Sequence, residues 1–200
     1  MNSNFRDNRF LQWLLMWVFG FWAFMAISPF DRQDWLLENL LVFLFVGLLA
    51  ATYRNFAFSN LSYGLVGVFL TLHLIGAHFT YAETPFGFWL QEALGLSRNH
   101  YDRIVHFLFG LLLAFPLREL LIRVAGTRPG WSYLLVVMCV LGFSGFYEAL
   151  EGIVAMIVSP ELGSAYLGTQ GDEWDAQKDT ALAFAGSVIA MVIVWRRNAV

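Results

Sequence analysis

Six apolar segments, each long enough to cross roughly 30 Å of hydrocarbon at 1.5 Å per residue, dominate this chain. They run from Phe10 to Ile27, Leu36 to Tyr53, Leu61 to Thr80, Tyr101 to Ile122, Trp131 to Val158 and Asp179 to Trp195. Such runs predict an all-α, polytopic membrane bundle of about six transmembrane helices. Trp13, Trp17, Trp35 and Tyr53 near the ends of the first two segments suit the bilayer interface. The first segment exceeds the usual signal-peptide core of about 7–15 residues. Pro29 also follows the small-residue site at Ala26-Ile27-Ser28 and opposes cleavage, so the segment reads as a retained span. No linker or repeat divides residues 1–200, which read as a single transmembrane domain.

Composition agrees: 58% of residues are hydrophobic and 14% charged, against about 25% charged in soluble domains. A net charge of −3 offers no basic footprint for nucleic acid. The lone Cys139 lies in an apolar run and reads as a core residue, with no thiolate metal site in prospect. G-x-S-x-G, P-loop and H-E-x-x-H patterns are all absent.

Loop charge sets the expected orientation. Arg6, Arg9, Arg54, Arg118, Arg123, Arg128, Arg196 and Arg197 fall on one side of a six-span bundle; Arg32, Arg98, Arg103 and Lys178 fall on the other. The richer side belongs in the cytoplasm, so both termini are expected there.

That orientation gathers the ionisable groups in the outer half of the membrane. Asp102 and His106 open the fourth span and Asp175 and Asp179 the sixth, each pair spaced i,i+4. Glu148 and Glu151 lie deep in the fifth at i,i+3, and His78 closes the third. Each spacing puts both members on one helix face. Bundle-core metal sites are assembled from such inward carboxylates and imidazoles, and this mixture suits zinc, manganese or iron. Two long connections, Tyr81 to His100 and Ser159 to Lys178, lie over the same end. The first is aromatic enough to lie in the interface, and the second is glycine-rich.

A blander reading stands beside this one. Asp102, Asp175 and Asp179 near helix starts also suit N-terminal capping, and Arg98 and Arg103 are near enough to pair with them. His106 reads equally as ligand or packed core residue. His73, five residues before His78, points to another face and reads as structural. Glu148 and Glu151 are harder to dismiss, because they sit far from a helix end with no cation in their segment. One turn apart, they repel unless a proton or cation intervenes. Gly142, Gly145, Ala149 and Gly152 on the fifth span, with Ala181, Ala185 and Ala190 on the sixth, predict a close crossing there. Arg118, Glu119 and Arg123 are expected to snorkel to the interface.

Four stretches carry a resemblance: His73 to Tyr81 (HLIGAHFTY), Arg98 to Phe107 (RNHYDRIVHF), Tyr147-Glu148 to Glu151, and Leu167 to Asp179 (LGTQGDEWDAQKD). In them the chain resembles the YjdF-type family of bacterial inner-membrane proteins. The resemblance covers most of the chain from the third span onward and implies a small polytopic protein of the cytoplasmic membrane. A shorter similarity reaches the VanZ-like membrane proteins, associated with glycopeptide-antibiotic resistance and envelope processes. Their acid, basic residue and His on one helix match Asp102, Arg103 and His106. Their buried glutamate and late aspartate map to Glu148 and Asp179.

The function expected is metal-assisted hydrolysis or transfer on a lipid or lipid-linked envelope substrate. His78, Asp102, His106, Glu148, Asp175 and Asp179 are the candidate ligands or their partners. Glu151, with Glu148, is the candidate acid–base group, and Arg98 and Arg103 are candidates for a substrate phosphate. A proton- or cation-coupled transporter and a non-enzymatic accessory envelope protein are the alternatives. The near-bare inner half and the missing repeat count against transport.

Overall fold

A computed structural model of the chain describes residues 5–198, and every regular element among them is helical. After a 3-10 turn (Phe5–Asp7) come α1 (Arg9–Met25), α2 (Arg32–Thr52), α3 (Asn60–His78), α4 (Pro85–Leu94), α5 (Tyr101–Arg123), α6 (Pro129–Ile157), α7 (Pro160–Leu167) and α8 (Asp175–Asn198). By length and composition α2, α3, α5, α6 and α8 can cross a bilayer, while α1, at 17 residues, is a shorter apolar helix. Large apolar side chains such as Leu44, Phe143, Phe146 and Met138 stand exposed along these helices. So much exposed apolar surface suits lipid and not water.

Local chemistry sets the helix ends. The side chains of Asn8, Asp31, Ser59 and Ser159 each accept a backbone N–H in the first turn of α1, α2, α3 and α7. Gly95 and Gly168 end α4 and α7 at φ of 63° and 57°, a left-handed region open to glycine at little cost. The two connections expected to be long loops thus contain α4 and α7. α2 and α8 also begin one turn before the apolar runs suggest, at Arg32 and Asp175.

α5 is central and packs most extensively on α8, then on α3 and α6. Ala114, Val136, Val137, Val140, Ala183, Ala190 and Met191 form the core where α5, α6 and α8 meet. The closest crossing is α5 with α8. A Cβ on Gly110 would collide with the Ala183 carbonyl, and one on Gly186 with the Phe107 carbonyl. The stripe expected on α6 does not do this work: a Cβ on Gly142 or Gly152 would meet nothing within 4 Å. Gly186→Val is therefore expected to destabilise the bundle by at least the ~1–3 kcal/mol of an overpacked core. Gly142→Ala, with open space for its Cβ, should leave the bundle no less stable; unfolding in detergent compares the two.

Glu119 also differs from expectation. Its carboxylate accepts the Ser59 backbone N–H (2.9 and 3.1 Å) and the Ser59 hydroxyl (2.8 Å), and it contacts Ser62 and Arg123. It thus closes the start of α3 and does not reach out to the interface. Arg118 lies over the Tyr133 ring at 4.5 Å.

Candidate metal centre

The tight α5–α8 crossing places the first turns of these helices side by side. Asp102 sits in the first turn of α5, Asp175 opens α8, and Asp179 follows one turn later. One carboxylate oxygen from each lies within 4.8 Å of the others. Asp179 is 1% exposed, and its Oδ1 has no hydrogen-bond partner. His106 lies one turn below Asp102, its Nε2 3.5 Å from Asp102 Oδ1 and 3.4 Å from Glu148 Oε1 on α6. That Glu148 oxygen is also buried and without a hydrogen bond. A buried carboxylate oxygen left alone is costly. Three clustered aspartates, with His106 and Glu148 next to Asp102, make a setting suited to a cation with mixed oxygen and nitrogen ligands.

Next to this cluster is a polar cavity of about 20 Å³ lined by Glu38, Tyr81, Asp102, His106, Tyr147, Glu151 and Tyr166, among others. It admits a water and is far too small for a lipid head group. Glu38 is 3% exposed, and its Oε2 accepts the Tyr147 hydroxyl at 3.3 Å. Glu151 lies one turn from Glu148, is 8% exposed and lines the same cavity as Tyr147. His73 stacks against Phe69 and bridges two elements. Its Nε2 lies 3.2 Å from the Glu38 carbonyl, and its Nδ1 lies 2.6 Å from the Tyr81 hydroxyl. A carbonyl only accepts, so Nε2 carries the proton and Tyr81 donates to Nδ1. Burial, with Glu38 and Asp102 nearby, pushes the Tyr81 hydroxyl pKa well up and keeps it a donor.

A basic clip closes the site from the loop side. All five N–H groups of Arg98 are engaged: Nε on the Asn99 carbonyl, Nη1 on the Thr169 carbonyl and Asp175 Oδ1, Nη2 on the Gly168 carbonyl and Asp175 Oδ2. The Arg98–Asp175 contact is 2.5 Å, with both side chains more than nine-tenths buried. Arg103 bonds to Asp172 and to Asp175 (3.1 Å), and Lys178 reaches Asp172 at 2.6 Å. Lys178, the Trp174 N–H and Arg103 hold the Asp172 carboxyl well below the usual carboxylate range. Its hold on the loop is thus present above the ordinary carboxylate pKa and fades only as pH falls through the depressed value. His100 is pushed down by burial and by Arg103 and Arg98, so it stays neutral against them.

The structure thus gathers Asp102, His106, Glu148, Asp175 and Asp179, with Glu151 lining the adjoining cavity. His78 is elsewhere: its Nδ1 lies 2.8 Å from the Met25 carbonyl, tying α3 to the end of α1. Arg98 and Arg103 staple the loop between α7 and α8, and Arg98 has no donor left for a phosphate. Sequence reading missed Asp34 and Glu38. Both are almost wholly buried on α2, and both Asp34 carboxylate oxygens are unpartnered. Their i,i+4 spacing is the signal that was available.

The family described as Predicted membrane protein (DUF2238) matches residues 10–199. Over 174 residues the chain is 37% identical to the "Inner membrane protein YjdF" of Escherichia coli (strain K12). That alignment spans 86% of this chain and 83% of the relative. No solved structure matches the chain.

Proposed function

The chain belongs to the DUF2238 family of predicted membrane proteins and is a multi-pass protein of the inner membrane, and on that premise we propose that it is a membrane-embedded, metal-assisted hydrolase or transferase. Its substrate in this reading is a lipid or lipid-linked component of the envelope. One observation carries the reading: Asp102, Asp175 and Asp179 converge beside His106, with buried oxygens of Asp179 and Glu148 left unpartnered.

Asp102, Asp179, His106 and Glu148 would hold the cation, a zinc, manganese or iron ion, with Asp175 sharing an oxygen already tied to arginine. Once bound, such an ion supplies Lewis acidity and makes a neighbouring water easier to deprotonate. Glu151 lines the water-sized cavity next to Asp102 and His106 and is the group placed to take that proton. Tyr147, which donates its hydroxyl to Glu38 and lines the cavity beside Glu151, orients the Glu38 carboxylate. A larger substrate arriving from solvent would need the strap from Gly168 to Asp172 to lift, because the cavity admits only a water.

The test uses purified protein in nanodiscs of bacterial inner-membrane lipid extract, with and without Mn²⁺ or Zn²⁺. Lipid products are read by mass spectrometry. Metal-dependent loss of a head group is expected in the wild type and is expected to vanish in Glu151→Gln, which keeps the cation ligands. Product formation indifferent to metal and to Glu151 would overturn the reading. So would ion flux in proteoliposomes that requires Glu148 and yields no product.

A further inference from the structure

A second feature touches the same site from the lipid side. Between α6 and α8 lies an open groove of about 490 Å³, in the size range of ligand sites. Gln177, Thr180 and Glu148 line one end, where α8 begins; Leu141 and Phe184 line the other. From Gln177 to Phe184 the groove runs about 10 Å along α8 at 1.5 Å per residue. Small residues, Gly145, Ala176 and Ala181, leave the space. A Cβ on Gly145 would meet only Thr180 Cγ2, at 3.9 Å.

Two physical facts single out this groove from the rest of the lipid-facing surface. Its character changes from polar to apolar with depth, as a lipid does from head to tail. Its one carboxylate, Glu148, also turns Oε1 inward to within 3.4 Å of His106, so the polar end of the groove abuts the cation cluster. Both walls belong to helices long and apolar enough to span a membrane, so the groove opens where acyl chains lie.

We infer that the α6–α8 groove is a lateral entry site that seats one acyl chain of a glycerophospholipid, with the head-group end drawn up to Glu148 and the cation ligands behind it. The inference deepens the proposed function and rests on it for the identity of the neighbouring centre. Its occupancy by lipid, however, is measurable without metal or turnover. Lipid would then reach the site sideways from the bilayer, which relieves the Gly168–Asp172 strap of having to admit a whole molecule from solvent.

The experiment uses the full chain in nanodiscs of phosphatidylethanolamine and phosphatidylglycerol doped with a phosphatidylethanolamine that carries a photoactivatable diazirine in one acyl chain. Cross-links are mapped by peptide mass spectrometry, and Mn²⁺ binding is measured on the same samples. Labelling should concentrate on Leu141, Gly145, Ala181 and Phe184, several-fold above the exposed face of α2 at Leu40, Leu44 and Leu48. Filling the groove with Gly145→Phe should lower it to the α2 level and leave Mn²⁺ binding intact. Labelling no denser in the groove than on α2, or undiminished in a folded Gly145→Phe, would overturn the inference. If that variant does not fold, the wild-type distribution alone decides. Absent Mn²⁺ binding with concentrated labelling would reject the metal centre and keep the lipid site.

Discussion

Arg98→Ala is expected to destabilise the protein by about 3–5 kcal/mol, the effect of stripping one partner from a buried ion pair. The size follows from what the guanidinium holds. It neutralises Asp175, which is 4% exposed, and it ties down the Gly168 and Thr169 carbonyls of the connection between α7 and α8. Its removal leaves a buried carboxylate beside Asp102 and Asp179 with Arg103 as the remaining cation. Arg98→Lys should recover little, because an ammonium has three donors and no planar fork to span Asp175 and two carbonyls. Equilibrium unfolding in detergent measures both. Loss of protection at residues 168–175 in hydrogen exchange would place the damage in the clip.

The second large effect concerns ligand affinity and carries an unusual pairing of signs. Asp179→Ala should weaken Mn²⁺ binding roughly 100-fold, or about 2.8 kcal/mol at 1.4 kcal/mol per tenfold, the upper end of what even outer-shell changes cost. The same substitution should not weaken the metal-free fold, and Asp179→Asn should strengthen it. Asp179 Oδ1 is buried without a hydrogen bond among other acids, so removing its charge relieves the protein. A packing residue at 1% exposure would behave the other way, losing stability and leaving cation affinity alone. Titration calorimetry and thermal unfolding on one preparation separate the two roles.

Much of the architecture was legible because bilayer length and helical spacing are properties of the chain itself. The apolar runs mark the helices, and the i,i+4 spacings of Asp102 with His106 and of Asp175 with Asp179 mark shared faces. What the spacing does not contain is which helix each face meets. Gly110 and Gly186 decide that α5 and α8 touch backbone to backbone, and each is a lone glycine in an apolar run. His78 shows the same limit: its place at a helix end is readable, but its turn toward the Met25 carbonyl depends on where α1 lies. Asp34 and Glu38 went unnoticed for another reason. They precede or open the apolar run of α2, where acids look like ordinary caps, and Asp31 in fact fills that role. Arg98 invites a phosphate by its chemistry, and only the fold reveals that each of its donors is already taken.

In the proposed function, α5, α6 and α8 hold one divalent cation between carboxylates and the His106 imidazole. Pulsed electron–nuclear spectroscopy on Mn²⁺-loaded protein tests it directly. One tightly held Mn²⁺ per chain is predicted, with a ¹⁴N coupling from a single directly bound imidazole that disappears in His106→Ala and persists in His78→Ala. A spectrum with no nitrogen coupling, or one abolished by His78→Ala and not by His106→Ala, would contradict it.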